Sequence, residues 1–147
     1  METKWKFKSV DTLSENDMFT LLKFRARASV IYGRKIDIDL EGIDKKAVHV
    51  IGYQQNNIVG YCRICPPGIE REQPTISRVV IDKPFRGKGL GLQMIHKSID
   101  HINTQWGGDI TLITMPHLEK YHVEQGFKVA LDGLVDTKEH IEMKLSK

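Results

Sequence analysis

Two cysteines, Cys62 and Cys65, are all that the 147-residue chain carries. That excludes a disulfide-stapled scaffold and makes a reducing compartment, the cytoplasm, the expected setting. There is no run of about 18 apolar residues, the length needed to cross a bilayer. Lysines interrupt the first ten residues, so neither a membrane span nor a secretory leader is expected. Charge of one sign is scarce: 22 Lys and Arg against 19 Asp and Glu leave a formal +3, too little by itself to argue for nucleic acid. Linkers, repeats and low-complexity tracts are missing. What remains is 40% hydrophobic and 28% charged, a globular balance that excludes disorder as the main state. A chain of this length suits one domain burying roughly 68–70% of its unfolded surface.

Trp5, Phe7 and Ser9 alternate with Lys6, Lys8 and Val10 and predict a first strand. Ser14-Glu15-Asn16-Asp17 has the make-up of a capping box, a hydroxyl that accepts from the amide three residues on. It opens a helix from Glu15 to about Arg27, with Met18, Leu21, Leu22 and Ala28 near one face. Gly33 to Asp44 alternates Ile36, Ile38 and Leu40 with Asp37, Asp39 and Glu41, and reads as a loop or a short strand. From Ala47 two strands flank the turn Gln55-Asn56-Asn57, the second from Ile58 to Ile64, forming a β-hairpin. A strand from Thr75 to Ile81 and a helix from Leu90 to about Asn103 follow, with Leu92, Ile95, Ile99 and Ile102 as the helix's core stripe. Ile110 to Met115 is an apolar strand, and Pro116 and Gly126 bracket a short helix. Phe127, Val129 and Leu131 alternate, Asp132-Gly133 turns, and Ile141, Met143 and Leu145 alternate again. The order β-α-(loop or α)-β-β-β-α-β-α-β-β makes a single α/β (α+β) domain over residues 1–147.

The chemistry concentrates between Ile76 and Ile95, I-S-R-V-V-I-D-K-P-F-R-G-K-G-L-G-L-Q-M-I. An apolar strand passes through a turn holding Gly87, Gly89 and Gly91 and then opens an amphipathic helix. Without side chains in the way, a ligand can approach the backbone closely. The first-turn amides of the helix lack internal partners, and its dipole favours negative charge. Together they form an anion site suited to phosphate or pyrophosphate, to which Arg86 and Lys88 add positive charge. The spacing is neither that of a Walker A loop nor that of the dinucleotide fingerprint. A purely structural glycine-rich turn is the competing reading.

Arg86-x-x-Gly89-x-Gly91, set between strand and helix, resembles the Q/R-x-x-G-x-G/A signature of the GNAT acetyltransferase superfamily. Leu118-x-x-Tyr121-His122-x-x-x-Gly126-Phe127 is similar to that family's second motif. I-S-R-V before the loop, Leu22-Lys23-Phe24-Arg25, the spacing of Asp39, Glu41 and Asp44, and H-I-E-M from His140 resemble its ElaA-like branch. The resemblance implies a mixed central sheet, splayed between its fourth and fifth strands and flanked by helices. It implies acetyl-CoA as co-substrate, with no metal. The pyrophosphate would lie on the amides of Arg86, Gly87, Lys88, Gly89, Leu90 and Gly91, and the pantetheine arm on the backbone of Val79, Val80 and Ile81. Lys83, Arg86 and Lys88 would screen the phosphates. The activity implied is N-acetylation of a small-molecule amine by direct attack in a ternary complex. Acetylation of a protein amino terminus or lysine is the alternative within enzymes, and a non-catalytic acyl-CoA-binding module the alternative outside them. Neither nucleic acid nor membrane is implied as a partner, and a homodimer is an expectation from the family.

The resemblance breaks at two positions. Relatives often place a Tyr, as the acid near the sulfur, where this chain has His122, with Tyr121 just before it. Either His122 donates the proton, or Tyr121 does from a shifted helix, or water does; a packed histidine without a chemical role is the competing reading. Met115 stands where relatives carry Asn or Gln, and a thioether accepts too weakly to replace them. No general base stands out. His49 and His140 align with histidines of the branch, while Glu41, Asp44, Asp136 and Glu139 are available acids for which a surface role is expected. Arg78 is a candidate to orient the site, to meet an anionic part of the substrate, or to enter a salt bridge. Cys62-x-x-Cys65 lies on a strand, where residues three apart face opposite ways, which speaks against a metal or redox pair. His96 and His101, like His117 and His122, are spaced about 140° apart on a helix and chelate poorly. Trp5 and Trp106 read as core or as a dimer contact.

Overall fold

Among the described residues, apolar alternation at period two builds one sheet of seven strands. The computed structural model describes residues 2–31, 42–134 and 140–147. Its strands are β1 (Lys4–Lys8), β2 (Val48–Gln54), β3 (Asn57–Cys65), β4 (Thr75–Ile81), β5 (Ile110–Thr114), β6 (Lys128–Leu134) and β7 (Ile141–Leu145). They lie side by side as β1-β2-β3-β4-β5-β7-β6. The helices are α1 (Glu15–Ile31), α2 (Ile43–Lys46), α3 (Leu90–Gln105) and α4 (Glu119–Glu124). All neighbouring strands are antiparallel except β4 and β5, whose parallel pairing is connected through α3. This is the mixed, helix-flanked sheet expected from the sequence. The splay is there too: β4 and β5 are in register only at Thr75↔Thr111 and Ile76↔Leu112.

Three elements differ from expectation. Helix α1, opened by Ser14 Oγ accepting from the Asp17 amide at 3.0 Å, continues to Ile31. Ile43–Lys46 is a short helix, and the rest of the Gly33–Glu41 stretch lies outside the described residues. Asp132 and Gly133 do not turn but lie within β6, whose register against β7 shifts between Val129 and Leu134. An Asp-Gly pair suits such an irregularity as well as a turn, because a bulged strand needs the same loose backbone.

The two faces of the sheet carry separate cores. Val50, Cys62, Ile64, Ile76, Leu112, Phe127 and Met143 pack with Met94, Ile95 and Ile102 of α3. Ile51, Tyr53, Ile58 and Tyr61 pack with Leu21 and Phe24 of α1 on the other face. The cysteines divide accordingly: Cys62 Sγ lies 3.4 Å from Ser98 Oγ of α3, whereas Cys65 is influenced by Arg63 and Glu70. Burial pushes both thiols up to about 12. Trp5 packs against the α3-side core and donates its indole N–H to Gln93; Trp106 is exposed and edge-on to His101.

On the α1 face the core is charged. Asp44 of α2 is 2% exposed and takes Arg25 of α1 at 3.1 Å and Arg63 of β3 at 2.9 Å, which overturns the surface role expected for it. Arg63 also reaches Glu70 at 3.1 Å, and Glu70 accepts from Ser77 Oγ at 3.1 Å. His49, fully buried, stands 2.9 Å from the Asp44 carbonyl through Nε2 and 2.7 Å from the Tyr61 hydroxyl through Nδ1. The carbonyl can only accept, so Nε2 donates to it and Nδ1 accepts from Tyr61, a neutral imidazole that burial keeps below its usual pKa. Removing one member of such a buried set strands the others. Asp44→Ala is therefore expected to cost about 3–5 kcal/mol in urea unfolding. Arg27→Ala, which breaks the more exposed pair with Asp82, should cost no more than about 1 kcal/mol.

Candidate active site

Beyond Ile76 the two central strands separate, leaving a gap bounded by the rest of β4 and by Met115 after β5. One extra residue marks the place. In β4, Ser77 stands opposite Arg63 and Val80 opposite Tyr61, so two residues, Arg78 and Val79, face one on β3. Arg78 has φ of +59°, rare for a residue with a side chain. The Asp82 amide bonds the Val59 carbonyl at 2.9 Å on the β3 side. By the period of two, Val80 also turns its backbone to β3, while Val79 and Ile81 turn theirs to the gap. Of the three residues expected to offer a backbone ladder, Val79 and Ile81 face the gap and Val80 faces β3. At the gap the Ile81 carbonyl receives Arg86 Nε at 2.9 Å.

The glycine-rich turn follows a short 3-10 turn at Lys83–Phe85. Gly89, at φ +81°, is the left-handed cap of α3, a conformation that a Cβ would oppose. The first closed bond of the helix is Gln93 N–H to the Gly89 carbonyl at 3.0 Å, so the amides of Leu90, Gly91 and Leu92 point out of the helix end. The expected stretch of ligand-facing amides is shorter at its start, because the Arg86 N–H donates to the Lys83 carbonyl at 3.3 Å. Leu92 does not join the core stripe. It is 39% exposed, and the buried positions of α3 are Met94, Ile95, Ser98 and Ile102. In the first turn it is Gly91 that faces Ile81 of the sheet, while Leu92 lines the cavity. Lys88 and Lys83 are exposed beside the turn, Lys88 Nζ lying 6.0 Å from the Phe85 ring centre.

Gap, turn and α4 enclose a cavity of about 450 Å³. Val79, Val80, Ile81, Arg86, Gly87, Gly89, Leu90 and Gly91 line it with Met115, Tyr121 and His122. The sequence-read cofactor residues thus converge, Lys88 alone falling outside the lining. The two neighbours on α4 differ in position. Tyr121 is 39% exposed, and its hydroxyl stands 3.0 Å from where a Cβ on Gly91 would be, so only glycine leaves that space open. Burial raises the phenol's pKa, and the Gln125 amide offsets part of the rise. His122 is fully buried, with Nε2 3.2 Å from Thr114 Oγ1 and Nδ1 3.2 Å from Gln125 Oε1. With the amide oxygen as acceptor, Nδ1 carries the proton and Nε2 accepts from Thr114, leaving a neutral ring with both nitrogens engaged. Burial lowers its pKa and the Gln125 bond works against that.

Thr114 and Gln125 went unread in the sequence. Gln125 stands four residues after Tyr121 and three after His122, the spacing at which helical side chains meet, and that was the available signal. The candidate bases do not gather at the cavity. His49 and Asp44 are buried in the charged network, His140 is half-buried ahead of β7, and Glu41, Asp136 and Glu139 lie outside the described residues. No group of three or more His, Cys, Asp or Glu side chains among the described residues could hold a metal. None of the described helices is long and apolar enough to cross a membrane.

A splayed mixed sheet with a glycine-capped helix at the gap defines a class of nucleotide-thioester enzymes, and the comparisons with known proteins agree. The family model "Acetyltransferase (GNAT) domain" matches residues 29–147, and the chain belongs to that family. A UPF0039 protein of Synechocystis is 27% identical over 146 residues, covering 97% of this chain and 95% of that protein. Escherichia coli ElaA is 24% identical over 127 residues, 84% of this chain and 83% of ElaA. Its crystal structure superposes with a TM-score of 0.85 over 97% of this chain and 99% of that one, at 23% identity. An acyl-CoA N-acyltransferase from Pseudomonas aeruginosa superposes with a TM-score of 0.86 over 99% of this chain and all of that one, also at 23% identity.

The buried imidazole has a consequence for acid stability. Unfolded, His122 binds a proton near its ordinary pKa of about 6.5; folded, it resists protonation. Its contribution is whole above about 6.5 and lost as pH falls below that value. Thermal midpoints of His122→Gln should therefore fall less steeply between pH 7 and pH 5 than those of the native chain. The slope should differ by up to about 1.4 kcal/mol per pH unit, one proton.

Proposed function

We propose that the chain is an acetyl-CoA-dependent N-acetyltransferase acting on the amine of a small molecule. The carrying observation is the convergence, in one cavity, of the open β4 backbone, the outward amides of α3 and the Tyr121 hydroxyl. The chain's own residues fit an acyl-CoA. Nothing stands within 4 Å of where a Cβ on Gly87 or Gly89 would project, which leaves open space for a pyrophosphate beside the helix end. The amides of Leu90 and Gly91 would hold that group, with Arg86 and Lys88 supplying charge. Val79 and Ile81 would pair with the amide groups of the pantetheine arm as a further strand does. When bound, the thioester supplies the acetyl group. The amine nitrogen bonds to its carbonyl carbon, the carbon–sulfur bond breaks, and the electron pair leaves with sulfur.

Of the two α4 side chains, Tyr121 is the better acid. Its raised pKa keeps the phenol protonated at neutral pH, and its hydroxyl projects into the cavity. It would give its proton to the departing sulfur, while the amine's proton passes to water. His122 holds α4 against β5 through Thr114 and positions Tyr121. Acylation of a protein amine and a non-catalytic acyl-CoA-binding role are the other outcomes open to an assay.

The test measures release of CoA thiol with a panel of small amines. Activity should depend on the amine and rise with pH as the amine deprotonates. General acid catalysis contributes roughly 10²–10⁴-fold. Tyr121→Phe is expected at the lower end of that range in kcat, with the dissociation constant for CoA unchanged. Tight CoA binding without thiol release from any amine would favour the binding module, and absence of CoA binding would remove the reading altogether.

A further inference from the structure

Arg78, in the bulge of β4 just before the gap-facing Val79, is left unused by the acyl-CoA reading. Strict alternation would set it beside Ile76 on the apolar α3 face. The extra residue in β4 diverts it instead to the α1 side, where it lies within electrostatic reach of Arg25, Arg63, Glu70 and Asp44. It is half-buried, and among the described residues it forms no ion pair or hydrogen bond. The acids close to it are already engaged, Asp44 by Arg25 and Arg63, Glu70 by Arg63 and Ser77. A left-handed backbone at a non-glycine residue persists only where the surroundings over-determine it, and such positions cluster at ligand contacts. The next residue is Val79, the first of the backbone facing the gap.

We propose that Arg78 is the anion-binding residue of the acceptor pocket, and that the acetylated amine belongs to a molecule bearing a carboxylate. The proposal rests on the acetyltransferase reading and names its substrate class. Burial, Arg63 and Arg25 disfavour the charge on Arg78, with Glu70 and Asp44 acting the other way, so an incoming anion would offset what its neighbours leave unmatched. A guanidinium presents a planar fork that matches a carboxylate in two parallel hydrogen bonds. Its place beside Val79, on the sheet face opposite α3, fits an acceptor approaching the thioester from the α1 side while the CoA occupies the α3 side. Arg25 and Arg63 are held in place by Asp44 on the same side of the sheet.

The experiment compares α-amino acids with their α-amides in the thiol-release assay, using the native chain, Arg78→Lys and Arg78→Asn. Asn tolerates the left-handed backbone, so the second variant removes the charge without adding strain. Hydrogen bonds to a charged group contribute about 1.5–3 kcal/mol, so the acid should exceed its amide by about 10–100-fold in kcat/KM. Arg78→Asn should erase that ratio by raising KM for the acid, and Arg78→Lys should restore part of it. Equal use of acid and amide by the native chain, or a ratio untouched in Arg78→Asn, overturns the proposal. If CoA binds but no amine is acetylated, the catalytic reading fails separately. Titration calorimetry of N-acetylglycine and N-acetylglycinamide on the CoA-loaded protein then decides the anion site. Binding of the acid alone, lost in Arg78→Asn, supports it; equal binding, or none, overturns it.

Discussion

The parting of β4 from β5 after two paired positions is the constraint on which the site depends. Backbone amides and carbonyls removed from a sheet must find other partners, because an unpaired buried group costs about as much as a lost hydrogen bond. Here each strand is satisfied on its outer side, β4 by β3 and β5 by β7, so the parting leaves the inner edges without a strand beside them, the Ile81 carbonyl being met by Arg86 Nε. A ligand that carries its own amides can complete them. The bulge at Arg78 and Val79 adds local twist and bends β4, as an extra residue does in an antiparallel pair. Helix α3 begins beside the gap, and Leu92 lines the cavity there instead of entering the core.

The charged layer on the α1 face gives that geometry a rigid backing. Replacing buried ion pairs by apolar side chains is often neutral or stabilising, so their stability contribution alone does not account for them. What they supply is position: Asp44 joins α1, α2 and β3 in one set of contacts, and Glu70 and Ser77 extend it to the strand that parts. A carboxylate shared between two arginines has few alternative arrangements. The bulged segment of β4 therefore rests against a surface that resists repacking.

Much of this was legible in the residues, because the signals were local. Strand alternation, the Ser14 cap and Gly126 each depend on neighbours a few positions away, and the glycine turn is read in the same way. Asp44 was unreadable for the opposite reason. Its partners are 19 residues away on either side in the chain, Arg25 and Arg63, and an Asp followed by two lysines looks like solvated surface. Leu92 fits the helical stripe, yet the stripe says nothing about where the sheet beneath comes apart. Asp132-Gly133 shows the limit of turn chemistry, since a bulge and a turn ask for the same residues. The bulge at Arg78 left no mark at all, because Arg is not a residue that composition associates with a left-handed backbone.

The pair on α4 shows how one position along a helix divides chemistry from structure. Adjacent residues are separated by 100° about the axis, so a side chain at 122 and one at 121 cannot share an environment. Position 122 faces the sheet, between Thr114 and Phe127, where a ring is excluded from solvent and a protonated imidazole would be costly. Position 121 faces α3, and Gly91 keeps the space before its hydroxyl open. With the phenol moved back by one residue, the acid would approach the sulfur from the helix side of the gap rather than from the sheet. In that reading the buried His122 is the support that fixes this angle: its bond to Thr114 ties α4 to β5, and its bond to Gln125 holds the ring from the end of α4. In the proposed reaction a phenol so placed would need no base of its own, since it would only give its proton as the thiolate leaves.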